Sequence, residues 1–142
     1  MNPFHLAIPV TNLEESINFY QNILGCSRGR SSNKWADFNF YNHQLVCHEV
    51  NKDLSANSNY VDGEDVPVPH FGIILTWEEF KKLSKDLENK SINFIIEPSI
   101  RFKNKPGEQA IMFLKDPSGN AIEFKAFKDK KDIFKTMENA YD

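Results

Sequence analysis

The sequence predicts an α+β fold made of two βαβββ modules in one chain, and three observations predict it. Stretches of strand length alternate apolar and polar residues along most of the chain. A capping-box signature, Thr followed three residues later by Glu, comes directly after the first strand of each half. Sliding the chain on itself by 65 positions superposes His5 on His70, Thr11 on Thr76 and Glu14 on Glu79 without a gap, which is the mark of a duplicated unit. One domain is expected over residues 1–127, with module one at 3–50, a linker at 51–69 and module two at 70–127. A charged C-terminal segment, 128–142, follows.

Taken in order, Phe4 to Val10 alternates, with Phe4, Leu6, Ile8 and Val10 on one face and His5 and Ala7 on the other. Thr11-Asn12-Leu13-Glu14 then starts a helix whose stripe is Leu13, Ile17, Tyr20 and Leu24, and Gly25 supplies the left-handed position that ends it. Residues 26–34 are polar and fit a short strand and a turn. Trp35 to Phe40 alternates, Tyr41-Asn42 makes a tight turn, and His43 to Val50 is a further strand. Residues 51–69 are rich in Asn, Asp, Ser and Pro without apolar periodicity. His70 to Leu75 repeats the first strand, Thr76-Trp77-Glu78-Glu79 repeats the capping box, and Phe80, Leu83 and Leu87 form the second helical stripe. Strands are predicted over 93–103, 108–115 and 120–127. Asp116-Pro117-Ser118-Gly119 between the last two carries the residues of a type I turn. Past Phe127 a short terminal helix is expected, with Ile133, Phe134 and Met137 as its sparse apolar residues, packed outside the core or against a second subunit.

Composition excludes several function classes. The chain has 142 residues, 40% hydrophobic and 13% aromatic, with net charge −3. Its Lys and Arg are scattered, which leaves no electrostatic footprint for nucleic acid. No apolar run approaches the roughly 18 residues of a spanning helix, and no targeting segment precedes the first strand. A cytoplasmic protein is expected. Cys26 and Cys47 are too few for a disulfide framework and form no CxxC pair, so both are read as reduced thiols.

The chemistry-bearing residues are those left facing away from the predicted core. Apolar residues of each first strand pack under the following helix, which places His5 and His70 on the opposite, concave face. In the last strand Ile122, Phe124 and Ala126 share one side, so Glu123 points to the other. Ala7, Gly72 and Ala121 beside these residues are small and leave room. Two neutral imidazoles and a carboxylate form the facial set that holds non-haem Fe(II), and the same set suits catalytic Zn.

The repeated order of strand, helix and three strands, the His-containing first strands and the terminal run Asp116 to Glu123 resemble the vicinal oxygen chelate superfamily of glyoxalase I, bleomycin-resistance proteins and type I extradiol dioxygenases. The resemblance covers about residues 3–127. It implies a curved mixed sheet around a central metal, with His5, His70 and Glu123 as ligands. The fourth family place falls on the strand His43 to Val50, nearest Val46, with Gln44 or His48 brought in by a shift of two residues. An apolar fourth place resembles the extradiol dioxygenases, in which a histidine just beyond it moves protons, and His48 matches that position. The resemblance thus implies a metal-dependent dioxygenase using Fe(II), with Zn, Mn or Ni as other ions the set would bind. Its substrate would be a small molecule with neighbouring oxygens, such as an aromatic diol.

Arg101 and Lys103 are candidates for binding a substrate carboxylate. Phe113 is a candidate substrate contact, standing with Ile111 and Met112 on the strand where ring-cleaving relatives carry a tyrosine. Two alternatives belong with this reading: a glyoxalase-like isomerase or lyase, which a fourth ligand from Gln44 or His48 would favour, and a metal-free binding protein of bleomycin-resistance type. Family habit implies a homodimer.

Overall fold

The computed structural model describes residues 1–51, 57–61 and 64–136. Strands β1 (His5–Val10), β2 (Ser27–Ser31), β3 (Trp35–Phe40) and β4 (His43–Glu49) form one sheet in the order β1-β4-β3-β2. Strands β5 (Asn57–Val61) and β6 (Glu64–Val68) pair as an antiparallel hairpin. Strands β7 (His70–Ile74), β8 (Phe94–Arg101), β9 (Gln109–Lys115) and β10 (Ala121–Phe127) form a second four-stranded sheet in the order β7-β10-β9-β8. Each half therefore lays its first strand beside its last, as the duplication predicts. Helix α1 (Leu13–Ile17) follows β1 and helix α2 (Trp77–Asn89) follows β7. The α+β class and the two βαβββ modules expected from the sequence are the observed ones.

The chain divides into two compact units. The first comprises Met1–Phe71 with Leu114–Ile122, and the second Gly72–Phe113 with Glu123–Asp142. In the first, Val10, Tyr20, Phe38, Leu45 and Cys47 are fully buried, and the Tyr20 ring packs against Phe19 and Phe38 at centroid distances of 5.0 and 5.5 Å. In the second, Leu87, Ile111, Met112, Phe113 and Phe124 form the buried set. Alternation governs these sheets. In β1, Ile8 and Val10 are buried while His5, Ala7 and Pro9 are exposed.

Asp116 of the first unit is buried and well partnered. Asp116 accepts hydrogen bonds from the Tyr20 hydroxyl at 2.8 Å, from the Ser118 and Asn120 backbone N–H groups at 2.9 Å each, and from the Asn120 side-chain amide at 2.8 Å. A buried carboxylate needs such partners to offset its lost hydration. The turn that Asp116 begins closes through Gly119 N–H to the Asp116 carbonyl at 3.0 Å, with Gly119 at φ 89°. This is the turn predicted from Asp116-Pro117-Ser118-Gly119. It is anchored to β1 by Asn120 Nδ2 donating to the Pro9 carbonyl at 2.8 Å.

Three local expectations are corrected. Helix α1 is capped by Asn12, whose Oδ1 accepts from Glu15 N–H at 3.0 Å, rather than by Thr11 and Glu14. Thr11 is drawn off by Ser118, to whose hydroxyl its N–H donates at 2.8 Å. Glu49 supplies a further acceptor for the helix start, taking Leu13 N–H at 2.9 Å. The helix is α for five residues and then π over Asn18–Ile23 before Gly25, at φ 75°, turns the chain as predicted. The segment read as a linker contains the β5–β6 hairpin. Asn57–Val61 pairs there with Glu64–Val68 in antiparallel register. Past Phe127 the described residues form a 3-10 turn, Lys130–Asp132, and Phe134 is exposed; Met137 lies outside the described residues. By contrast, Thr76 and Glu79 make the full capping box predicted for α2.

Candidate functional site

His5 opens β1 and is exposed. Its register partner on β4 is Gln44, and Gln44 Oε1 lies 2.7 Å from His5 Nδ1. The Gln44 amide reaches on to Asp37 of β3, Nε2 to Oδ2 at 3.2 Å, and Asp37 is paired with Arg30 Nε at 3.9 Å. Gln44, Asp37 and Arg30 line a concavity of about 560 Å³ together with Gly29 and Asn39 among others.

His70, at the start of β7, is exposed too, and its Nδ1 lies 2.7 Å from the Pro67 carbonyl oxygen of β6. A carbonyl only accepts, so the proton sits on Nδ1 of His70 and the lone pair of the neutral ring on Nε2. His43 is the opposite case. Its Nδ1 accepts from Phe4 N–H at 2.8 Å, which makes it a structural histidine. His48, on the same face of β4 as Gln44, is exposed beside its register partners Pro9 and Trp35.

In the second unit Glu123 is buried, at 7% exposure, rather than solvated on a half-exposed strand. Its Oε1 is 3.3 Å from Lys125 Nζ, two residues along the same face. Gly72 of β7 approaches this position so closely that a Cβ there would overlap the Glu123 carbonyl. Ala7, 65 positions earlier, has Val46 as its partner. Val46 is thus the first-sheet residue nearest the place that Glu123 has in the second, and the Gln44 side chain meets His5 and Asp37.

Arg101 ends β8 at 9% exposure, and its buried Nη2 has no hydrogen-bond partner among the described residues. Lys103 is exposed on the turn that follows. Phe113, expected at the substrate, has no exposed surface. It serves as core packing in the second unit, because alternation gives way on β9 to a run buried on both faces from Ala110 to Leu114. Both cysteines are buried, and lost hydration raises the Cys26 thiol to about 11 and Cys47 to about 12. Neither is a reactive thiolate at neutral pH.

His5 and His70 belong to the first unit and Glu123 to the second. Among the described residues no three His, Cys, Asp or Glu side chains form a ready-made metal cluster. No helix among them is long and apolar enough to cross a membrane.

Residues 3–124 match the Glyoxalase/Bleomycin resistance protein/Dioxygenase superfamily. The chain belongs to this superfamily. A crystal structure of a glyoxalase/bleomycin resistance protein/dioxygenase from Alicyclobacillus acidocaldarius is similar with 34% identity and TM-score 0.81, over 94% of this chain and 96% of that one. Glutathione transferase FosA of Serratia marcescens is 25% identical over 121 residues, 84% of this chain and 76% of that protein. The fosfomycin resistance protein FosX of Listeria monocytogenes, at 15% identity, shares the fold with TM-score 0.64 over 93% of this chain and 97% of that one.

Proposed function

We propose that this superfamily member is a metal-dependent enzyme acting on a small anionic substrate, with His5, His70 and Glu123 as the ligands. The observation that carries the proposal is the setting of the two histidines. Each directs Nδ1 at an acceptor, Gln44 Oε1 or the Pro67 carbonyl, the arrangement that metal-bound imidazoles have because it puts the lone pair on Nε2. The donor set, two imidazoles and a buried carboxylate, suits a divalent first-row ion, Fe(II) for oxygen chemistry and Zn, Mn or Ni otherwise. Glu123 also meets Lys125, Oε1 to Nζ at 3.3 Å, and His5, His70 and Glu123 would hold the ion with metal binding coupled to local structure.

A bound ion would supply Lewis acidity toward two neighbouring substrate oxygens and positions for a co-substrate. The chain's own contribution is orientation and proton movement. His48, exposed on the strand that carries Gln44, is the proposed acid/base, imidazole being both a donor and an acceptor of protons. Arg101, whose buried Nη2 has no hydrogen-bond partner among the described residues, is the proposed receptor for the substrate's carboxylate or other oxyanion, and Lys103 adds positive charge on the turn after β8.

Two reactions fit this site. One is dioxygenase chemistry, as the three-ligand set and His48 suggest. The other is metal-assisted addition or transfer without oxygen, favoured by the similarity to a glutathione transferase and by Ile111, Met112 and Phe113, all buried and none a tyrosine, on the strand preceding Glu123. A homodimer is proposed with either.

The test is metal analysis of protein purified without chelators or nickel columns, followed by turnover assays on the loaded protein. About one divalent ion per site, lost in His70→Ala, is expected. Oxygen uptake with vicinal diols would select the dioxygenase, and thiol adduct formation with an oxyanion substrate would select the transferase. Unchanged metal uptake in His70→Ala would overturn both.

A further inference from the structure

We infer that Gln44 and Asp37 are positioning residues that set the tautomer of His5, and that Asp37 acts through the Gln44 amide. The inference deepens the metal reading and rests on it for its consequence, but its physical core does not involve a metal.

His5, Gln44 and Asp37 form one row of side chains on one face of the first sheet. An ionised carboxylate has acceptors only. Asp37 lies beside Arg30, 3.9 Å from its Nε, and the group that approaches its Oδ2 at 3.2 Å is the Gln44 NH₂. The amide is thereby fixed in one of its two orientations, with Oε1 turned to His5. Oε1 is also acceptor only, so at 2.7 Å the His5 Nδ1 carries the proton. The neutral ring then has its lone pair on Nε2. A charge on β3 thus selects, through an uncharged amide on β4, which nitrogen of a β1 imidazole can bind an ion.

Backbone register makes the row: His5 pairs with Gln44, and Gln44 with Asn39, which places Asp37 diagonally across from Gln44 on the same face. Asp37 is buried, so its orientation is maintained by packing. His70 needs no such relay because a backbone carbonyl does the same work. Such outer partners typically change metal affinity by roughly 10- to 100-fold when removed.

The experiment is ¹⁵N–¹H NMR of the histidine rings in the metal-free full-length protein at a pH where imidazole is neutral, with a parallel metal titration against a competing chelator. The wild type should show His5 protonated on Nδ1. Gln44→Leu should move His5 toward the Nε2–H form while leaving His70, the internal control for an intact fold, on Nδ1–H, and should weaken metal binding by roughly 10- to 100-fold. Asp37→Asn alone should give a mixture, since an Asn can also accept or donate toward the Gln44 amide. The double variant Asp37→Asn, Gln44→Glu reverses amide and carboxylate, restores donor facing acceptor at both contacts, and should return His5 to Nδ1–H.

A wild-type His5 protonated on Nε2, or a His5 tautomer unmoved in Gln44→Leu, would overturn the inference whatever the metal titration gives. Failure of the wild type to bind metal, with the tautomers behaving as stated, would overturn the metal reading and leave the relay standing.

Discussion

Asp116 offers the sharpest test of what holds the first unit together. Four donors converge on its carboxylate, and one of them is the hydroxyl of Tyr20, a side chain with no exposed surface. Tyr20→Phe removes one charge-assisted hydrogen bond and leaves three, at a cost of about 2 kcal/mol from the range for bonds to charged groups. Asp116→Ala removes the acceptor for all four and strands the Tyr20 hydroxyl, so about 3–5 kcal/mol is expected, the loss typical of a broken buried network. The double variant should cost about 1–2 kcal/mol less than the sum of the singles, because the stranded hydroxyl is gone with the phenol. Urea unfolding at pH 7 followed by tryptophan fluorescence reads all three. Strictly additive losses, or an Asp116→Ala loss no larger than that of Tyr20→Phe, would refute the assignment of Asp116 as a shared buried acceptor.

Gly72→Ala should destabilise by about 3 kcal/mol, at the upper end of overpacking costs, since the added methyl meets the Glu123 backbone; a denaturation midpoint within error of wild type would contradict this close approach. Glu108 has its carboxyl lowered below 4.5, first by Asn104 N–H and then by Lys128. A lowered folded value means stabilisation present above 4.5 and lost as pH falls, so Glu108→Gln should weaken the protein at pH 7 and match wild type in strong acid, as midpoints across pH 3–7 would reveal. Tyr20, raised well above 10.0 chiefly by burial and next by Asp116, and the two thiols raised from 9.0 act in the other direction. The unfolded chain releases these protons first, so stability should fall as pH climbs above about 9, and native protein should react with a thiol reagent only as fast as it opens.

Much of this was legible in the residues because period alone determines it. Trp35 to Phe40 alternates cleanly and is a strand with those bounds, and the 65-residue repeat predicted two halves of like order. Thr76 and Glu79 cap α2 as read. The same signature at Thr11 misled, since the competing acceptor, Ser118, is 107 residues away and no local pattern announces it. The β5–β6 hairpin was hidden because residues 51–69 carry no apolar periodicity.

The proposed ligands come from residue type and face, and the groups that support them do not. Strand phase placed His5, His70 and Glu123 opposite the core. Nothing in the sequence said that Gln44 would be spent on His5, that Pro67 would hold His70, or that Arg101 would be buried. Phe113 was misjudged because a strand buried on both faces has no outward side.

The partition of the chain has a consequence for dividing the gene. The unit that begins at Met1 is completed by Leu114–Ile122, through contacts spanning 96 to 111 positions such as Tyr20 to Asp116 and Pro9 to Asn120. A ribosome that has released only the first module has not yet made the clasp that module closes on, and ring closure over such a span is entropically slow. The duplicated halves, alike in plan, are therefore not interchangeable parts: expressed separately, the leading half would lack its own keystone, and co-expression of the trailing half would be needed to supply it.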